Sequence, residues 1–134
     1  MTASLILAGS RPGAPDPVAA ADGVAHKALA TVAGETLLAR VAGALSGTVA
    51  VSANDPAVIA EAERLGLTVL PPAPGPSASV AAALEVLGTP LIVTTADHAL
   101  LRREWVEALV AGTPPDADVA VMLAERARVE ADAP

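Results

Sequence analysis

The sequence has no cysteine, no phenylalanine and no tyrosine, and its one tryptophan is Trp105. Without cysteine there is no disulfide scaffold, no thiolate metal site and no cysteine nucleophile. Without aromatic residues a core must be made of Val, Leu, Ile and Ala, which suit close packing of helices on a sheet. Cations are scarce too: eight Lys and Arg stand against fifteen Asp and Glu, a net charge of −7. A surface for polyanions needs clustered Lys and Arg to displace counterions. Nucleic acid and anionic membrane are therefore not expected as partners. A small anion is still possible, because loop amides, a helix N-terminus and one or two cations can hold it. No apolar run approaches the roughly 20 residues of a membrane span. No basic stretch precedes the apolar residues at the start, so Met1–Gly9 does not read as a signal peptide. These absences lead to the expectation of a cytoplasmic protein.

What is present is an aliphatic chain of 134 residues, 53% hydrophobic, a length that fits a single domain over 1–134. Five short runs are apolar and uncharged: Ser4–Ala8, Thr48–Ser52, Leu67–Leu70, Leu91–Thr95 and Val119–Leu123. They do not alternate with polar residues, as strands buried on both faces do not. Between them, apolar residues recur at helical spacing: Leu37, Leu38, Val41 and Leu45; Val58, Ile59, Ala62 and Leu65; Val80, Leu84 and Leu87; Trp105, Val106, Leu109 and Val110. Charged residues such as Arg40 and Glu61 fall off these stripes. Asp55 can cap a helix that starts at Pro56, and Gly66, Gly88 and Gly112 can stop helices, with Pro90 and Pro114 preventing continuation. The order reads β-α-β-α-β-α-β-α-β. With right-handed crossovers it gives an α/β fold, a Rossmann-like, open, mainly parallel sheet with helices on both faces. The stretch from Gly9 to Thr31 reads as a long irregular segment, and the polar tail from Glu125 to Pro134 is expected to fray.

Four constellations follow strands, on the edge where open α/β sheets bind ligands. The first is Leu7-Ala8-Gly9-Ser10-Arg11-Pro12-Gly13, with Lys27 further on. Gly9 and Gly13 let a backbone approach a phosphate closely, Ser10 offers a hydroxyl, and Arg11 and Lys27 can neutralise a triphosphate. The same residues also read as a glycine turn with two solvated cations. They are not a Walker loop, because no Gly-Lys-Ser/Thr follows. The second is Thr94-Thr95-Ala96-Asp97-His98. One Asp with phosphate oxygens and water is an ordinary Mg²⁺ arrangement, but Asp97 also reads as the cap of a short helical turn. His98 reads as a supporting group or a plain loop histidine. The third is Pro74-Gly75-Pro76-Ser77-Ala78-Ser79, which opens a helix: Ser77 or Ser79 is its N-cap or touches base or ribose. The fourth is Ser52-Ala53-Asn54, with Asn54 a turn residue or a contact to the base.

LILAGSRPG from Leu5 to Gly13, HKAL from His26 to Leu29 and GETLLARV from Gly34 to Val41 together resemble the start of MobA-like nucleoside-triphosphate transferases. TTADHALL, Thr94 to Leu101, is similar to the family's segment whose Asp binds Mg²⁺, and GPSASVAAAL, Gly75 to Leu84, to the segment that meets the nucleotide. The resemblance implies a nucleotidyltransferase that moves NMP from an NTP, CTP or GTP, to a small phosphorylated acceptor and releases pyrophosphate. It implies that Gly9, Ser10, Arg11 and Lys27 bind the triphosphate and that Ser52 and Ser77 lie near the nucleoside; with the strand-end readings above, the expected nucleotide site is Leu7, Ala8, Gly9, Ser10, Arg11, Gly13, Lys27, Ser52, Asn54, Gly75, Ser77 and Ser79. Arg11, Lys27 and Asp97 carry the chemistry in this reading, with Asp97 as the ligand of Mg²⁺.

The loop departs from the fuller Gly-Gly form, and the insertion before Lys27 is long. The family also continues beyond a fifth strand, so the chain reads as truncated at its C-terminus. That leaves two rivals: a non-catalytic nucleotide-binding or regulatory module, and an enzyme fragment that needs a partner. A homo-oligomer through an open sheet edge is a further expectation. A sugar-transferring relative would show Asp-x-Asp after a strand. Asp116-Ala117-Asp118 has the spacing but precedes the fifth apolar run.

Overall fold

A computed structural model describes the whole chain except Met1, Arg11, Pro12 and Ala14. Its centre is β1 (Ala3–Leu7), whose uncharged residues pair on both sides. On one side lies β4 (Val49–Ser52), then β5 (Thr68–Leu70); on the other lies β6 (Leu91–Thr95). All four strands are parallel, in the order β5-β4-β1-β6. Register aligns their carboxyl ends: Leu7 stands opposite Ser52 and Thr95, and Ser52 opposite Leu70.

Alternation along β1 builds two core layers. Ile6 faces one side, with Leu38 and Val41 of α2 (Leu37–Gly43), Val58 and Ala62 of α3 (Pro56–Arg64) and Val106 of α5 (Arg103–Gly112). Leu5 faces the other, against Ala83, Val80 and Leu87 of α4 (Pro76–Leu87). Helices thus cover both faces, as expected. Each large aliphatic side chain buried this way contributes about 1.5–3 kcal/mol. The caps are those that local chemistry favours. Asp55 accepts the amides of Ala57 and Val58, and Thr36 Oγ1 accepts that of Ala39 at 3.1 Å. At α4 neither Ser77 nor Ser79 is the cap. Gly75 holds that position at φ 149°, with Pro76 as first helical residue.

Three expectations are corrected. The stretch from Gly9 to Thr31 is not irregular throughout. It contains α1 (Pro17–Asp22), capped by Asp16 and closed by Gly23 at φ 68°, and then a 3₁₀ turn, Lys27–Leu29. Asp22 Oδ2 accepts the amide of Thr31 at 2.9 Å and fastens the segment's far end. Beyond it a hairpin of β2 (Thr31–Val32) and β3 (Glu35–Thr36) leads into α2. The second correction is Val119–Leu123, which pairs with no strand among the described residues and leaves Val119, Val121 and Leu123 exposed. An apolar run becomes a strand only where a neighbour and a covering layer exist. Here α5, the crossover that would cover it, buries only Val106. The third is the tail: α6 (Arg126–Asp132) forms there with nothing buried, carrying an i, i+4 contact from Arg126 Nε to Glu130 at 2.6 Å.

Candidate functional site

The strand order creates the site. The chain leaves β1 for β4 on one side, whereas β6 lies on the other side of β1. Loops after β1 and β6 therefore diverge and leave a crevice at the carboxyl edge. Two bonds carry the ladder one residue further, Ala8 N to the Ser52 carbonyl at 2.9 Å and Ala96 N to the Leu7 carbonyl at 3.0 Å. Gly9-Ser10 and Asp97 then emerge from buried anchors, Ala8 and Ala96. The resulting cleft has a volume of about 750 Å³.

Most of the residues singled out by sequence meet in it. Leu7, Ala8, Gly9, Ser10, Lys27, Ser52, Asn54, Gly75, Ser79 and Asp97 all line the cleft. The amide of Ser10 points to Asn54 Oδ1 at 3.4 Å, a long contact that a better acceptor would displace. Ser79 is buried, and its Oγ accepts the amide of Ala73 at 3.0 Å, bracing the Pro72–Gly75 wall. Gly13 takes φ 79° but does not line the cleft. Ser77 is exposed on α4 outside it, because Ser79 and Ser77 fall on opposite sides of the helix's first turn. His98 is exposed and also outside. Arg11 lies outside the described residues.

The charged centre is a pair. Lys27 opens the 3₁₀ turn, which is pinned to the core by fully buried Ala28. Its Nζ lies 3.0 Å from Asp97 Oδ2 and 3.9 Å from Asp16 Oδ2. Both Lys27 and Asp97 side chains remain more than a third exposed, at 36% and 43%, so water or a ligand can reach them. The Thr95 hydroxyl, and then Lys27, hold the Asp97 carboxyl below its ordinary pKa. Asp97 therefore stays ionised through the neutral and mildly acidic range. It is not the cap of α5, which begins at Arg103 with Arg102 in the cap position. Among the described residues no three His, Cys, Asp or Glu side chains group as a metal cage. An ionised carboxylate in the cleft wall, paired with Lys27 but partly exposed, suits a hard cation that brings its own phosphate and water ligands. Asp116 and Asp118 are exposed, away from this cleft.

Three contributors escape the sequence reading. His26 lines the cleft and Asp16 stands behind Lys27. Pro72 and Ala73 extend the wall that Pro74 and Gly75 begin. Asp16 was legible: Asp16-Pro17 repeats the Asp55-Pro56 cap, but the six-residue helix behind it is too short to show a period.

Solved structures share the architecture. A structure titled a hypothetical transferase, from Thermus thermophilus, matches with a TM-score of 0.66 and 24% identity, over 85% of this chain and 47% of that one. A CMP:2-keto-3-deoxy-manno-octonic acid synthetase complexed with CTP matches with a TM-score of 0.66 and 18% identity, over 87% and 48%. At such identities the likeness shows the fold. This chain spans about half the length of each. No curated protein matches the sequence. The family model of the MobA-like NTP transferase domain matches residues 5–131, nearly the whole chain, and the cleft lies within that match. The chain belongs to the MobA-like NTP transferase domain family.

Proposed function

We propose that this chain is the nucleotide-binding domain, over 1–134, of a cytoplasmic nucleotidyltransferase. It moves NMP from an NTP, CTP or GTP, to a small phosphorylated acceptor, with Mg²⁺. The observation that carries the reading is the Lys27–Asp97 pair at 3.0 Å, beside the Gly9-Ser10 loop in a cleft at the sheet's carboxyl edge. Family membership and the neighbour complexed with CTP support an NTP as the ligand. No helix among the described residues is long and apolar enough to cross a membrane.

In this mechanism an oxygen of the acceptor phosphate attacks the α-phosphorus. The bond from that phosphorus to the bridging oxygen of the β-phosphate breaks, and pyrophosphate leaves with the electron pair. Lys27 exchanges Asp97 for phosphate oxygens and stabilises the leaving charge as a point cation. The amides of Gly9 and Ser10 contact the phosphates, with the amide of Ser10 leaving Asn54 to do so. Asp97, once released from Lys27, would hold Mg²⁺, and the ion would supply charge neutralisation to the phosphates. Ser52 and Asn54, with the Pro72–Gly75 wall braced by Ser79, orient the nucleoside. No covalent enzyme intermediate is needed.

A second reading is a non-catalytic nucleotide-binding module, or a fragment needing a partner. It is favoured by the span of about half the neighbours' length. In that reading this chain orients no acceptor, and the orientation contribution, which can reach about 7–11 kcal/mol, is not its own. Pyrophosphate release from each NTP, with a panel of phosphorylated acceptors, separates the readings. The transferase reading expects little turnover by this chain alone, and acceptor-dependent release once the acceptor portion is supplied. Asp97→Asn is expected to keep the fold and to lose the Mg²⁺-dependent part of NTP binding. If that variant binds Mg·NTP like the wild type, Asp97 is not the metal ligand.

A further inference from the structure

His26 is a buried titratable side chain that the mechanism above leaves unused, and it sits beside Lys27 in the cleft wall. The residue as a whole is 7% exposed. Nδ1 accepts the amide of Ala28 at 3.0 Å and so caps the 3₁₀ turn that presents Lys27. A nitrogen that accepts an amide proton carries none of its own, and a neutral imidazole then bears its proton on Nε2. The backbone thus selects the tautomer. Among the described residues Nε2 has no protein partner. It is not sealed in the core either, since the unpartnered buried side-chain atom there is Ser4 Oγ. The space His26 lines is the cleft.

We propose that His26 is a ligand-binding residue, whose Nε2–H donates a neutral hydrogen bond to the phosphate chain of the bound nucleotide while Nδ1 holds the Lys27 turn. One ring serves both tasks: the cap fixes which nitrogen is the donor and where it sits. The inference rests on the nucleotide reading of this cleft and deepens it. Beside a lysine charge, a neutral donor of fixed direction selects geometry rather than charge alone.

Two substitutions divide the ring's functions. In His26→Asn the amide oxygen takes the place of Nδ1 and keeps the cap, but the distal donor is gone. In His26→Gln the amide nitrogen reaches the place of Nε2, but the cap is lost. The measurement is titration calorimetry of the full chain with CTP and GTP in Mg²⁺, beside thermal unfolding. His26→Asn is expected to unfold like the wild type and to bind about tenfold more weakly, the scale of one hydrogen bond to a charged group. His26→Gln is expected to melt earlier yet to bind more tightly than His26→Asn. The reverse order of affinities, or no difference between the two variants, overturns the proposal. Lys27→Ala separates the levels. Wild-type affinity in Lys27→Ala sinks the reading of the site and this inference with it. Weakened binding there, with His26→Asn binding like the wild type, sinks the role of His26 alone.

Discussion

Ser4 and Asp97 show how differently single polar residues are treated by this fold. Ser4 lies on the central strand at 0% exposure, and its Oγ has no partner among the described residues. An unsatisfied buried hydroxyl costs about 1–3 kcal/mol. Ser4→Ala removes it without opening a large cavity and is expected to raise stability by about 1 kcal/mol in urea unfolding. A clear loss of stability would mean that the hydroxyl is satisfied after all. Asp97 is the opposite case, exposed but engaged by Thr95 and Lys27. At this scale a residue's type and its place just after a strand were enough to bring Gly9, Asn54 and Asp97 to the cleft, whereas Lys27 reaches it from a 3₁₀ turn that follows no strand. The sequence was uninformative for Ser77 against Ser79, because two serines in one helical turn differ only in which way the turn faces.

Elements were legible in proportion to their length and to the chemistry of their ends. The strands at 3–7, 49–52, 68–70 and 91–95, and the helices α2 to α5, follow from apolar runs, apolar stripes and caps. The short α1 and the 3₁₀ turn were not, since neither is long enough for a period to emerge, and both matter because they deliver Lys27. The residue that joins α2 to α3 was also hidden. Glu61 accepts the Thr36 hydroxyl at 2.8 Å and pairs with Arg64 at 2.7 Å, so one carboxylate braces two helix segments. Its pKa lies below the ordinary glutamate value, through Arg64 first and Thr36 as well, against the opposing effect of burial. A carboxyl with a lowered folded pKa adds stability above its unfolded value of about 4.3. That stability is lost as pH falls through the folded value. Glu61→Gln is therefore expected to destabilise the protein by about 1 kcal/mol at pH 7 and by less near pH 3. Denaturant midpoints at the two pH values check this, and an equal loss at both would rule out the charged form as the brace.

The whole molecule is an asymmetric sheet. One edge strand, β5, adjoins α3, whereas among the described residues no strand pairs with the outer side of β6, on which Val93 is 42% exposed. Val119, Val121 and Leu123 stand exposed in the same chain, although their sequence reads as a buried strand. Sequence reports such a run's preference for burial but not the surface that will bury it. The β6 edge and the exposed aliphatics favour self-association, and a net charge of −7 opposes it. Sedimentation velocity is expected to show concentration-dependent association that strengthens with salt, as screening weakens the repulsion. Val93→Lys should weaken it by placing a charge at the edge. A monomer under all these conditions would show that the edge is protected.

The central claim is that the cleft holds a triphosphate through Lys27. Arg40, which its sequence position placed on an open helix face, is instead tied to Glu35 at 3.5 Å and to the Ala99 carbonyl at 3.4 Å. A fairer control cation is Arg126, exposed on α6. The direct measurement is the affinity of CTP and GTP, with Mg²⁺, for wild type, Lys27→Ala and Arg126→Ala. Lys27→Ala is expected to lose about 1.5–3 kcal/mol of binding, the scale of a charge-assisted contact, and Arg126→Ala almost none. Equal and small effects from both substitutions would contradict the account.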